Sequence, residues 1–261
     1  MKHKTFNLIA HVLGAIVLLF IAAPIIGMMA KTELRDVFET AKDQEVMGSI
    51  LLSLGASFTA TILFAILSLP FAWLLARKNF FLKRLVLGII DLPIVIPHTA
   101  AGIALLGLIS RNTELGKLAA SIGIDFVGNP SGIIIAMAFV SLPFFLNSAR
   151  EGFAQVPDRL EKAALNLGIK PFRVFYTISI PLAFRHILTG AVMMFARGIS
   201  EFGAVVIIAY YPMTASVLIF ERFSSFGLQY ARPSAVLLIS ITIGLFLIMR
   251  LLTKDPENAR H

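Results

Sequence analysis

Asp91, Arg197 and Glu201 are ionisable residues set inside long apolar stretches of the 261-residue chain, where a charge is costly and is a candidate for function by default. Arg197 and Glu201 stand four apart, so on a helix they share a face and neutralise one another. That pairing supports two readings: an ion pair that fixes helix packing, or groups that line or brace a path for a solute. Other chemistry is poorly supplied. The chain has no cysteine, which removes disulfides and thiolate metal sites. Its five histidines, His3, His11, His98, His186 and His261, are scattered singly, with no pair spaced to put two imidazoles on one helical face. No clustered nucleophile, base and orienting group can be assigned for an enzyme. No Gly-x-x-x-x-Gly-Lys-Ser/Thr run is present to cradle phosphates.

A second group of residues carries its signal in spacing. The longest polar interruption runs from Arg150 to Arg185. Within it, Asp158 and Glu161 have the spacing of a capping box after Pro157, and Gly168 with Pro171 supplies a stop, which predicts a short helix. Leu160, Ala163, Ala164, Leu167 and Gly168 fall at i, i+3, i+4, i+7 and i+8, forming one small, apolar face that another surface can approach closely. Such a face either packs back on its own bundle or docks a partner, and its place at a membrane surface makes docking the more attractive reading.

The elements that must hold these residues follow from composition. With 57% apolar and 15% charged residues and a mean hydropathy of +0.85, the chain lies outside the range of soluble domains, so lipid is its solvent. A helix needs about 20 mostly apolar residues to cross the hydrocarbon. Six stretches qualify: Asn7 to Met29, Ile50 to Ala76, Leu85 to Ile109, Ser131 to Ala149, His186 to Ala209 and Ser234 to Leu252. The first follows Lys2 and Lys4, but it exceeds the roughly 7 to 15 residues of a signal h-region and reads as a retained span. The expectation is an all-α polytopic protein, a single transmembrane domain over residues 1–261 with about six helices and a polar loop at about 150–185 between the fourth and fifth.

Placing both termini on the cytoplasmic side collects Arg77, Lys78, Lys83 and Arg84 there, with the basic residues from Arg150 to Arg185 and then Arg250, Lys254 and Arg260. Across the membrane, Glu33, Asp36, Glu39, Asp43 and Glu45 outnumber Lys31, Arg35 and Lys42 in the first loop. The net charge of +8 thus reflects topology; the basic residues form no stripe interleaved with stacking aromatics, so nucleic acid is not an expected partner. Pro24, Pro70, Pro93, Pro97, Gly102 and Pro143 inside spans point to a packed bundle whose neighbours re-satisfy freed backbone groups. Pro93 and Pro97, beside Asp91, read either as ordinary kinks or as a break lining a path. In the outer loops, Leu34, Val37, Phe38 and Ala41, and then Val217, Ile219, Phe220, Phe223 and Phe226, read as apolar sides of helices lying at the membrane interface. Docking of an extracytoplasmic partner would then use their polar edges.

Three motifs resemble one family. Ala163-Ala164-Leu-Asn-Leu-Gly168, followed by Ile178-Ser-Ile-Pro181, is similar to the EAA loop of ABC-importer permeases, a coupling helix that sits in a groove of the ATPase subunit. One departure is visible: the family's acid directly precedes the two alanines, whereas here Lys162 stands there and Glu161 one place earlier. Ala196-Arg-Gly-Ile-Ser-Glu-Phe-Gly-Ala-Val-Val206 resembles the fifth-helix signature of the molybdate, tungstate and sulfate branch. Asp91-Leu-Pro-Ile-Val-Ile-Pro-His98-Thr-Ala-Ala-Gly-Ile-Ala104 looks like its third-helix motif, with His98 replacing a commoner proline, and Leu142-Pro143-Phe144-Phe145 also fits.

The resemblance implies a permease subunit of an ATP-driven importer of a tetrahedral oxyanion, molybdate or tungstate first and sulfate or thiosulfate next. It implies a homodimer, an ATP-binding cassette ATPase dimer that holds the ATP and Mg, and an extracytoplasmic oxyanion-binding protein. No cofactor and no catalysis are expected in this chain. The ATPase-coupling residues would be Asp158, Leu160, Glu161, Ala163, Ala164, Leu167, Gly168 and Pro171. The translocation path would involve Asp91, Thr99, Arg197, Ser200 and Glu201, because backbone amides and hydroxyls can guide an oxyanion without a deep cationic site. Against this stand an ion channel, for which neither a charged ring nor a carbonyl filter is visible, and a secondary transporter, which the lack of an internal repeat disfavours.

Overall fold

A computed structural model describes residues 2–252, all helix and connecting loop, with no strand among them. Three helices open the chain: α1 (Lys2–Ala30), α2 (Leu34–Lys42) and α3 (Gln44–Arg77). They are followed by α4 (Lys83–Val95), α5 (His98–Ile109), α6 (Glu114–Ser121), α7 (Pro130–Gln155) and α8 (Asp158–Asn166). The fifth span is built from α9 (Pro171–Val174), a π-helical segment (Phe175–Ser179) and α10 (Ile180–Ile199). Last come α11 (Gly203–Ile208), α12 (Ala215–Phe226) and α13 (Leu228–Leu252). Among the described residues, five helices are long and apolar enough to cross a membrane, and the pair α4 and α5 makes a sixth span if taken together.

Two compact units divide the chain. The first holds the residues up to Met47 with Ile219–Ile241, and the second holds Gly48–Leu218 with the chain from Thr242. In the first, α1 has no buried side chain among those described, as suits a span facing lipid. Leu34 and Phe38 of α2 are likewise exposed. Arg222 donates to Asp43 at 2.6 Å and to Ser234 at 3.1 Å, and this bond holds the Asp43 carboxyl below its ordinary value. In the second unit, α7 is the most buried span. Its core side chains Ile133, Met137, Val140, Phe145 and Phe153 are all but inaccessible, and α10 packs along it.

One open reading is decided and two expectations need correction. The stretch from Leu85 to Ile109 takes the break and not the ordinary kink: α4 and α5 meet at 112°. Pro97 has no N–H and disfavours helix at the residue before it, and Ile96 is extended at φ −75°, ψ 146°. The fifth span lies earlier than His186 to Ala209, running continuously over Pro171–Ile199. Arg173 and Arg185 made its start read as loop, but a helix keeps its backbone bonds through charged residues whose heads reach water. The polar loop after α7 therefore shortens from about 150–185 to residues 156–170. Lys254 and Arg260, assigned to the cytoplasmic side, lie outside the described residues.

Candidate functional site

The short helix predicted from Asp158 and Gly168 is α8, but its ends differ in how they are made. Pro157 occupies the N-cap position, and no side chain caps the first turn, so the expected capping box is absent. Glu161 is drawn elsewhere, because a guanidinium offers its carboxylate two charge-assisted bonds where a cap offers one amide. At the other end Gly168 has φ +81°, its amide bonds Leu165 O at 2.9 Å, and Ile169 N bonds Ala164 O at 3.1 Å. This is a Schellman stop, and the left-handed conformation is why glycine stands there. Pro171 then starts α9 within its first turn.

Glu161 is the hinge of this site. Arg77, the last residue of α3, donates from Nε to Oε2 at 2.9 Å and from Nη2 to Oε1 at 2.8 Å. Ser179 Oγ donates to Oε1 at 2.7 Å, and Trp73 Nε1 approaches it at 3.3 Å. The pair is enclosed, with side-chain exposures of 9% for Arg77 and 10% for Glu161. Burial pushes the Glu161 carboxyl up, but the hydrogen bonds from Arg77, Ser179 and Trp73 outweigh it and hold the group below its ordinary value. Arg77 also reaches Val156 O at 3.0 Å and Asp158 at 3.1 Å.

Only Glu161 and Ala164 of α8 are buried. Of the five residues expected on one face, Ala164 turns inward beside Glu161, while Leu160 at 41% and Leu167 at 81% are exposed, as are Ala163 and Gly168. The helix is thus fastened along one edge and bare along another.

The second cluster forms at the α4–α5 break. Arg197 Nη2 lies 3.0 Å from Glu201 Oε2, and the His98 ring joins them, with Nδ1 at 2.8 Å from Arg197 Nη2 and 3.2 Å from Glu201 Oε2. The Glu201 side chain is fully enclosed. Its other oxygen accepts from Ala204 N at 2.8 Å. That bond falls in the first turn of α11, just past the end of the fifth span at Ile199. Two glycines let α5 and α11 touch. A Cβ at Gly102 would lie 2.9 Å from Ala204 Cα, and one at Gly203 would lie 2.8 Å from His98 Cβ.

The expected path residues divide. Arg197, Glu201 and Ser200 meet, Ser200 Oγ lying 3.3 Å from Arg197 Nη1. Thr99 is exposed at the start of α5 beside them. Asp91 is elsewhere, accepting from Asn147 of α7 at 2.7 Å. Five partners lie beyond the reach of sequence pattern: Arg77 reads as a cytoplasmic flank, Trp73 is the lone tryptophan, Asn147 and Ser179 carry no spacing signal, and His98 reads as a departure from proline.

This architecture is shared with known proteins. Residues 68–254 match the family described as "Binding-protein-dependent transport system inner membrane component". The chain is 43% identical over 249 residues to the molybdate/tungstate transport system permease protein WtpB of Pyrococcus abyssi (strain GE5 / Orsay), covering 94% of this chain and 95% of that one. It is 31% identical to the probable sulfate transport system permease protein cysT of Chlorokybus atmophyticus, covering 86% and 80%. Among solved structures, a bacterial alginate ABC transporter in complex with alginate pentasaccharide-bound periplasmic protein superposes with a TM-score of 0.71 at 15% identity, over 96% of this chain and 93% of that one. With its broken third span, its short anchored helix after α7 and this match over most of its length, the chain is a multi-pass membrane permease of the binding-protein-dependent transport system inner membrane component family.

Proposed function

We propose that the chain is the membrane-spanning subunit of an ATP-driven importer that carries molybdate or tungstate inward from an extracytoplasmic binding protein. The observation that carries this reading is α8: a short helix fastened through Glu161 and Ala164, with Leu160, Ala163, Leu167 and Gly168 left open for a second protein. That protein is an ATP-binding cassette ATPase, two copies of which bind ATP and Mg and meet two copies of this chain. Asp158 and Pro171 frame the docking helix, and both termini are cytoplasmic, which puts α8 on the same side as the ATPase. The reading of the cargo is supported by the molybdate/tungstate relative at 43% identity, against 31% for the sulfate relative.

The path reading rests on charge balance. Arg197 is offset by Glu201, so the cluster at the α4–α5 break holds no deep cationic trap, and an anion handed over by a binding protein can leave as readily as it enters. Arg197, Ser200 and Thr99 present donors to it, while Glu201 and Asp91 brace the helices. The complex reconstituted in vesicles is expected to hydrolyse ATP faster when molybdate- or tungstate-loaded binding protein is outside, and to accumulate the anion. Stimulation by sulfate-loaded protein alone would move the assignment to the sulfate branch, and full-speed transport without the ATPase would refute the importer reading.

A further inference from the structure

We propose that Arg77 is a positioning residue that carries load from α8 into the bundle, so that displacement of the docking helix reaches the second and fifth spans together. This rests on the reading of α8 as the ATPase contact. Every nitrogen of the Arg77 guanidinium is engaged: Nε and Nη2 on Glu161, Nη2 also on Val156 O, and Nη1 on Asp158. Glu161 in turn accepts from Ser179, the last residue of the π-helical segment. One carboxylate therefore joins α3, α8 and the start of the fifth span. A bidentate fork fixes orientation as well as distance, which an apolar contact that can slide does not.

The surroundings remove slack. The Phe175 ring lies 5.8 Å from Trp73 and 5.9 Å from Phe153, and Phe153 is completely buried, so the space behind the clamp is filled with rings. With Glu161 and Ala164 its only buried residues, α8 has little other hold on the bundle. Force on its open face passes chiefly through Glu161. Both oxygens of that carboxylate are used within the chain, which leaves the ATPase to meet the Leu160, Ala163, Leu167 and Gly168 side. The π-helical turn beneath, a geometry that recurs at functional sites, places the receiving Ser179.

The test uses the full complex in lipid nanodiscs, measuring both ATPase retention and the ratio of hydrolysis with and without molybdate-loaded binding protein. Arg77→Gln and Glu161→Gln are each expected to keep the ATPase bound while lowering that ratio by about 2- to 30-fold. Arg77→Glu combined with Glu161→Arg restores part of it, and Arg77→Lys, which keeps the charge but not the fork, falls between. A wild-type ratio in Arg77→Gln overturns the proposal. So does loss of the ATPase from that variant, because the clamp then only shapes the docking surface. Where Arg77→Gln fails to fold, a wild-type ratio in Arg77→Lys overturns it. Absence of the ATPase from the complex of the unaltered chain overturns the docking reading itself, and this proposal with it.

Discussion

Two arginine–glutamate pairs in the second unit have the same chemistry and opposite construction. Arg77 and Glu161 come from helices 84 residues apart in sequence, and the pair is bidentate, with distances of 2.8 and 2.9 Å. Arg197 and Glu201 stand four apart, with one contact at 3.0 Å shared with His98. The first pair is saturated and ties elements together. The second leaves Arg197 22% exposed beside an enclosed Glu201, so its guanidinium is tempered without being used up. A long-range, fully bonded pair is suited to transmitting motion, whereas a local, partly open pair is suited to meeting an anion briefly.

Breaking the first pair should have the largest effect. Glu161→Ala leaves the buried Arg77 guanidinium with only Asp158 and Val156 O in place of its bidentate partner, and removing one member of such a pair costs about 3–5 kcal/mol. Thermal unfolding in detergent would register this as a large drop in Tm, and a stability loss below about 1 kcal/mol would place the pair with exposed surface bridges. The second pair should be more forgiving and more specific. Glu201→Gln weakens the hold on Arg197, with an expected cost of about 1–3 kcal/mol. Arg197→Gln with Glu201→Gln together should recover much of the stability yet still slow uptake in vesicles. Transport at the wild-type rate by that double variant would remove both residues from the path.

The smallest effect is one of pH. The Glu161 carboxyl is held below its ordinary value, so its contribution is fully present above the ordinary carboxylate range and lost as pH falls through its lowered folded value. The same sign holds for Asp43 beside Arg222. Tm measured from pH 7 downward should stay flat until acid conditions and then fall. In Glu161→Gln the fall should be shallower, and an unchanged slope would show that this carboxyl does not titrate with folding.

Much of this architecture was legible because it is local. Apolar runs long enough to cross hydrocarbon marked the spans, and the small-faced helix ending at Gly168 followed from spacing and from glycine's freedom at positive φ. The pairing of Arg197 with Glu201 is also a near-neighbour effect, although Glu201 lies beyond the end of α10 at Ile199 and not on the helical face that the spacing predicts. Pro97 marked a place where the chain could break, but not that it would turn by 112°. Other features were illegible for a definite reason. Hydropathy counts Arg173 and Arg185 as interruption and cannot tell a loop from a helix whose charged heads reach water, which displaced the fifth span. A capping-box spacing at Asp158 and Glu161 carries no information about a guanidinium arriving from another helix.

By itself, then, the sequence determined the all-helical membrane class, the five or six apolar stretches able to cross a bilayer and the short helix after the fourth of them, since each depends on the chemistry of neighbouring residues. Only the tertiary structure decided which polar groups meet: Arg77 with Glu161, Asn147 with Asp91, His98 with Arg197. Those partners lie 84, 56 and 99 residues apart, and an apolar bundle gives each polar side chain strong reason to find a partner without dictating which one.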